Sequence, residues 1–276
     1  MTETDLGNTL REEDFTGDIK MKNKSKALLI LAMDMGTAML HCGGEIYRVE
    51  DTITHILKAY EIDYYDVYTL SNGIFASANE SSEDSFSMVC NVPLSSVTTD
   101  LGKIAALNQL ARDICDKKCS IEEARKRLDA CNQSAGYPPL VLALACGVGS
   151  AGFSYLFGGT PLDAFFAMLI GIVEQCLLLA FTQYHMSRVL KNLFLSMVIA
   201  VMSILFLSMG LPIHRDMVVI GAIMPLVPGI AFTTSIREIY NGDYLSGAIH
   251  LIDALLTAVC IAVGICLPFY FQGGFL

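Results

Sequence analysis

The sequence predicts an α-helical polytopic membrane protein, with five transmembrane helices of which one is broken, preceded by an N-terminal α+β soluble domain. Three observations predict it. Of 276 residues, 53% are hydrophobic and only 17% are charged, with a mean hydropathy of +0.51, whereas a soluble chain carries about 25% charged residues. The charges are also unevenly placed: residues 1–137 hold 14 of the 18 lysines and arginines and 22 of the 28 aspartates and glutamates. Finally, five apolar segments follow residue 138, each long enough to cross about 30 Å of hydrocarbon at 1.5 Å per residue. The boundaries fall at 1–25 for a disordered tail, 26–137 for the soluble domain and 138–276 for the membrane domain.

The first 25 residues are polar and acidic and lack the apolar run of a signal peptide, so disorder and no outward targeting are expected of them. Leu28, Leu31, Met35 and Met39, then Ile46, Val49, Ile53, Ile56 and Leu57, recur at helical spacing. They predict two helices over 26–61 joined at Gly43-Gly44. Residues 64–70, 74–79 and 86–92 are short β-rich runs broken by Ser71-Asn72-Gly73 and by 80–84, the pattern of an antiparallel meander. A helix is expected over 100–117, and another opens at Ser120, whose hydroxyl caps it while Glu123 completes the capping box. Residues 134–138 form the hinge into the membrane domain.

The spans read as 139–157, 162–183, 192–210, 217–236 and 246–271, joined by short turns such as Gly158-Gly159-Thr160-Pro161, Gly210-Leu211-Pro212 and Asn241-Gly242-Asp243. Short connections make consecutive helices antiparallel neighbours. Arg125, Lys126 and Arg127 precede the first span, Arg188 and Lys191 follow the second and Arg237 follows the fourth, while the opposite side carries only Arg215. The excess of positive charge predicts a cytoplasmic soluble domain in the inner (cell) membrane, with the tail 271–276 outside.

Polar groups inside spans point to function, because each costs about 2.5–3.5 kcal/mol at the centre on insertion scales. Glu174, beside Gln175, sits near the middle of the second span, and Asp253, with His250 one turn earlier, lies in the first half of the fifth. Both are candidates for proton coupling, set against a structural contact between helices. In the fourth span Met224-Pro225-Leu226-Val227-Pro228-Gly229 carries two prolines three apart and a glycine. Each proline removes a donor and clashes with the preceding turn, so the helix breaks near mid-membrane. Breaks at that depth are tolerated where the freed backbone faces protein or a cavity, and transporters build substrate sites there. Pro225, Pro228, Gly229, the hydroxyls of Thr233 and Thr234, and Arg237 form the candidate substrate path.

Several function classes are disfavoured. Gly147-Val148-Gly149-Ser150-Ala151-Gly152 matches a dinucleotide fingerprint, but it lies inside an apolar helix where small residues let helices approach closely. Cys115, Cys119 and the distant His41-Cys42 lack a second pair at zinc spacing, so no metal and no cofactor is expected. The nine cysteines read as reduced thiols. A net charge of −10, most of it in the N-terminal half, argues against nucleic acid as a partner. No nucleophile–base pair appears, so no catalytic residues and no enzyme activity are expected.

With these residues on the page, the sequence resembles the threonine/serine exporter family, in its short form. The soluble-domain motif of that family is matched by Gly43, Gly44, Glu45, Arg48, Val49, Glu50 and Asp51, although a Glu45–Arg48 pair is by itself ordinary for a solvated helix. Its first membrane hairpin resembles Phe153 to Phe157 with Gly158, Gly159 and Asp163. Its most specific block is matched by Leu226, Val227, Pro228, Gly229, Thr233, Thr234, Ile236, Glu238, Gly242, Asp243, Ser246 and Gly247. Thr234 stands where many members have Asn, Glu238 where most have Asp and His250 where Arg is usual; these departures bear on substrate rather than fold.

The short form is similar to one subunit of a two-protein succinate exporter, so the resemblance implies a complementary small membrane subunit, and assembly with further copies of itself is a second possibility for partners. The expectation is a subunit of a secondary exporter of small carboxylated metabolites, threonine and serine or a dicarboxylate such as succinate. The competing class is a membrane-anchored ligand sensor or assembly scaffold, with a channel behind it.

Overall fold

The computed structural model describes residues 25–62, 64–81, 84–93, 97–134, 136–182 and 186–273. The tail expected to be disordered, apart from Ser25, and the last three residues of the expected external tail lie outside these. The chain separates into two compact units, residues 1–134 and 135–276.

In the first unit, α1 (25–41) exposes only Lys26 and Asp34. Its run of Leu28, Leu29, Leu31, Ala32, Met33, Met35 and Met39 is buried on all sides, as a helix apolar on every face must be. At the joint to α2 (Ile46–Ala59), Gly43 takes φ +78° and the Gly44 amide donates to the Met39 carbonyl at 2.8 Å. A positive φ strains any residue with a Cβ, so the glycine pair makes this turn possible. The α2 face of Ile46, Val49, Ile53, Ile56 and Leu57 then closes on α1.

The strands β1 (Tyr64–Leu70), β2 (Gly73–Ser81) and β3 (Asp84–Asn91) form an antiparallel sheet in chain order, as the sequence runs predict. Alternation puts Ile74, Ala76 and Ala78 of β2 into the core and leaves Phe75 outside beside Tyr68. Helix α4 (Ile121–Gln133) starts at the cap the sequence marks, Ser120 accepting from the Glu123 amide at 3.2 Å, and α3 (Leu101–Cys115) starts at Asp100, whose side chain accepts from the Lys103 amide at 3.0 Å. Arg127 donates to Asp113 at 2.7 Å and joins the two helices.

The second unit holds α5 (Pro139–Leu156), α6 (Pro161–Thr182), α7 (Arg188–Ser208), α8 (Arg215–Ile223), α9 (Gly229–Tyr240) and α10 (Tyr244–Gly273). Among the described residues four helices are long and apolar enough to cross a membrane, and five if α8 and α9, bent by 54° at a short break, count as one broken span rather than a re-entrant loop. Leu140, Val148, Leu156, Val201, Leu205 and Val259 are all exposed, which suits a surface dissolved in lipid. Helix α8 lies against α5, α6 and α7, whereas α9 pairs with α10.

Close packing in this unit runs through small residues, because lipid is as apolar as leucine and only close approach is gained. A Cβ at Gly147 would lie 2.9 Å from the Met168 carbonyl oxygen, and one at Gly221 would lie 2.6 Å from that of Ser150. The seam on α5 is therefore Gly147, Ser150 and Ser154, while Gly149 and Gly152 of the same run meet nothing within 4 Å.

Candidate functional site

The break in the fourth span is built by its prolines. Pro225 sits in a single 3₁₀ turn (Met224–Leu226), Val227 turns extended at φ −62°, ψ 126°, and Pro228 takes φ −79°, ψ 53°. A residue before proline is pushed out of the helical region, which is why the chain straightens at Val227. The Gly229 amide folds back to the Val227 carbonyl at 2.8 Å, and the first regular bond of α9 runs from the Phe232 amide to the Pro228 carbonyl at 3.0 Å. A helix end and a helix start thus meet at this break. Thr233 is less available than its sequence position suggests: its hydroxyl contacts the carbonyls of Gly229 and Ile230, both at 3.0 Å, leaving only its lone pairs to accept. Thr234 is half-buried and Arg237 is exposed in the last turn of α9.

Glu174 is 3% exposed, and its Oε2 makes no hydrogen bond among the described residues. The Cys146 thiol of α5 lies beside it. Asp253 has a different setting from the expected one. It does not share a site with His250; its carboxylate accepts from Arg188 of α7 at 2.9 Å, with both side chains about half-exposed. His250 instead faces Glu238 across the α9–α10 turn, with Nδ1 2.7 Å from Oε2.

Sequence reasoning did not select a second polar centre at the far end of α5. Asp163 is fully buried and accepts from the Thr160 amide and hydroxyl, both at 2.8 Å, and from the His214 amide at 2.7 Å; the His214 ring lies 3.0 Å away. The signal was present as a capping box, Thr160-x-x-Asp163, at the start of a span. Its partner was hidden, because His214 is 51 positions on. The next residue, Arg215, stacks over the Phe269 ring of α10 at 4.6 Å, a cation–π contact that ties α8 to the end of α10.

Residues 30–271 match the family model described as "Putative threonine/serine exporter" (ThrE). The chain belongs to this family. No characterised protein and no solved structure matches it. Membership makes it a membrane exporter of threonine- or serine-like substrates, in a family of transporters rather than of enzymes.

In the exporter's N-terminal unit, the motif residues have separate tasks. Gly44 belongs to the α1–α2 turn and Glu45 precedes α2 without capping it by its side chain. Glu50 accepts from the Thr69 amide at 3.1 Å and fastens α2 to β1. Arg48 lines a groove of ≈ 310 Å³ between α2 and α3. A larger pocket of ≈ 700 Å³ opens between α1, α4 and the start of α3, with Asp34, Arg125 and Asp129 at one end and Lys103 at the other. Burial pushes the Asp34 carboxyl above its ordinary range, against the pull of Arg125 4.0 Å away. All nine cysteines are free thiols. Among the described residues no three His, Cys, Asp or Glu side chains converge as a metal site.

Proposed function

We propose that the chain is one subunit of a secondary transporter that exports small carboxylated metabolites, threonine and serine or a dicarboxylate such as succinate, together with a complementary small membrane subunit. The observation that carries this reading is the 54° break between α8 and α9. A helix that starts inside a span presents amide donors and the positive end of its dipole to whatever anion reaches it. A cargo carboxylate is such an anion. Arg237, at the cytoplasmic entrance in the proposed orientation, offers a two-pronged donor to the same group. Glu174 is the proposed proton carrier, since a lone carboxyl in an apolar bundle changes charge only by gaining or losing a proton. A proton entering the cell down 100 mV contributes about 2.3 kcal/mol to export.

The test is efflux from cells co-expressing both subunits and preloaded with threonine, serine or succinate. Pro228→Ala with Gly229→Ala should insert normally, because alanine suits a helix, yet reduce efflux at least tenfold. Glu174→Gln should leave efflux insensitive to the proton gradient. Wild-type efflux from the first variant removes the break from the substrate path, and an unchanged pH response from the second removes Glu174 from coupling.

The sensor reading has one observation in its favour, the pocket of mixed charge in the N-terminal unit. A sensor whose helices only anchor it would keep its output in the Pro228→Ala/Gly229→Ala protein.

A further inference from the structure

We infer that the seam between α5, α6 and α8 is a water-bridged proton path that runs from His214 through Ser154 and Ser150 to Glu174. The inference rests on the reading of Glu174 as the proton carrier and names how the proton reaches it.

Three polar atoms in this seam are buried and, among the described residues, find no oxygen or nitrogen partner: the hydroxyls of Ser150 and Ser154, both on fully buried residues, and Glu174 Oε2. The soft Cys146 thiol, one turn from Ser150, is hydrogen-bonded to the Ser150 side chain and lies within electrostatic reach of Glu174. A buried polar atom left without a partner costs about 1–3 kcal/mol, so alanine at 150 and 154 would make the more stable bundle. The serines of α7 behave differently. Ser196 and Ser203 are equally buried, but each donates to a carbonyl of its own helix, at 2.8 Å and 2.7 Å. Among the described residues of the second unit, Ser150 and Ser154 are the buried hydroxyls that find no oxygen or nitrogen partner, and both lie in the seam that ends on the buried carboxyl.

The groups lie in order along the seam. At the rim, the His214 ring is 68% exposed and its Nδ1 contacts the buried Asp163. Asp163 is held by Thr160, and the adjoining Gly159 donates to the Ser154 carbonyl at 3.0 Å. A Cβ at Gly159 would lie 3.0 Å from the Ser154 hydroxyl, so that hydroxyl abuts the loop carrying Asp163. Ser150 is one turn deeper on α5 and presses on Gly171 of α6. Glu174 and Cys146 lie one turn beyond that pair. Successive turns are about 5.4 Å apart, the span of two hydrogen bonds of about 2.8 Å through one water. Gly221 of α8 covers the serines closely, a Cβ there lying 2.5 Å from Ser154 Cβ, and this shuts the seam against lipid.

The chemistry fits a relay. A hydroxyl donates and accepts at once, so each serine passes a proton on while receiving another, and the net result is one proton taken from bulk at His214 and one held on the Glu174 carboxyl. The titratable and charged groups facing His214 are Asp163 of α6 and its own neighbours Arg215 and Asp216, with Phe269 of α10 against Arg215; the one facing Glu174 is Cys146 of α5.

The experiment is a pH jump on the full-length chain in liposomes, reading the infrared carboxylic-acid band that Glu174→Gln removes. Ser150→Ala with Ser154→Ala should slow the rise of this band at least tenfold and keep its final amplitude, which also reports a folded protein. Ser203→Ala, off the path, should rise at the wild-type rate. A double variant that protonates Glu174 as fast as wild type overturns the path and leaves Glu174 as carrier. If no band titrates that Glu174→Gln removes, the carrier reading itself fails, and the path with it.

Discussion

Glu238 Oε2 and His250 Nδ1 lie 2.7 Å apart, and the pair locks α9 to α10 where the broken span returns to the membrane face. Glu238 is 4% exposed and its other oxygen makes no hydrogen bond among the described residues, so the histidine is its principal partner there. Breaking a buried pair from one side is costlier than removing both members. His250→Ala is expected to lower stability by about 1–3 kcal/mol, and Glu238→Leu/His250→Leu to recover most of the loss. Melting of the detergent-solubilised protein measures both; a His250→Ala protein that melts with wild type would show the pair to be incidental.

Gly221→Ala tests the seam by crowding rather than by chemistry. Its Cβ would lie 2.5 Å from Ser154 Cβ and 2.6 Å from the Ser150 carbonyl oxygen, and backbone cannot step aside. Overpacking of this kind costs about 1–3 kcal/mol. Gly149→Ala and Gly152→Ala, which meet nothing within 4 Å, should instead gain about 0.5–1 kcal/mol from better helix propensity. If all three variants melt alike, α5 and α8 are not in close contact.

Orientation is tested by labelling intact cells with an impermeant thiol reagent. With the exposed Cys176 and Cys266 changed to serine, a cysteine at Met209, exposed at the end of α7, should react. One at the exposed Asn241 in the α9–α10 turn should react only after the membrane is opened. The reverse pattern would turn the protein over and exchange the entrance and exit assigned to it.

Asp113 gives a pH dependence of known sign. The hydrogen bonds from Arg127 and Gln109 hold its carboxyl below the ordinary aspartate range. A folded-state pKa below the unfolded one contributes stability that is full above the unfolded value, about 3.9, and is lost as pH falls through the folded one. Hydrogen exchange of α3 and α4 peptides should therefore be faster in Asp113→Asn than in wild type at pH 6, with the difference shrinking below about pH 4. A difference that stays constant across this range would assign the effect to something other than the charge.

Much of this architecture could be read from residues close together in the chain. The small residues of α5, the capping signal at Ser120, and the prolines between α8 and α9 act over a turn or two, and each appears where its local chemistry requires. Partners far apart in sequence could not be read in this way. Asp253 was grouped with His250 by helical spacing, yet Arg188, 65 positions away, is its partner. Asp163 carries only a local capping pattern in the sequence, yet it is a junction, because His214 arrives from 51 positions away.

The sequence by itself determined that the chain is a membrane protein with a separate polar unit, and that its fourth span breaks at Pro228. Hydrophobic length, charge asymmetry and the missing proline donor need no tertiary partner to act. Only the tertiary structure decided which intramembrane polar groups are already satisfied and which are not. Asp253 is spent on Arg188 and Thr233 leans on its own helix, while Glu174 shares an unsatisfied seam with Ser150 and Ser154. The physical reason is that a hydrogen bond reaches about 3 Å, and whether two groups come that close depends on how helices from distant parts of the chain pack.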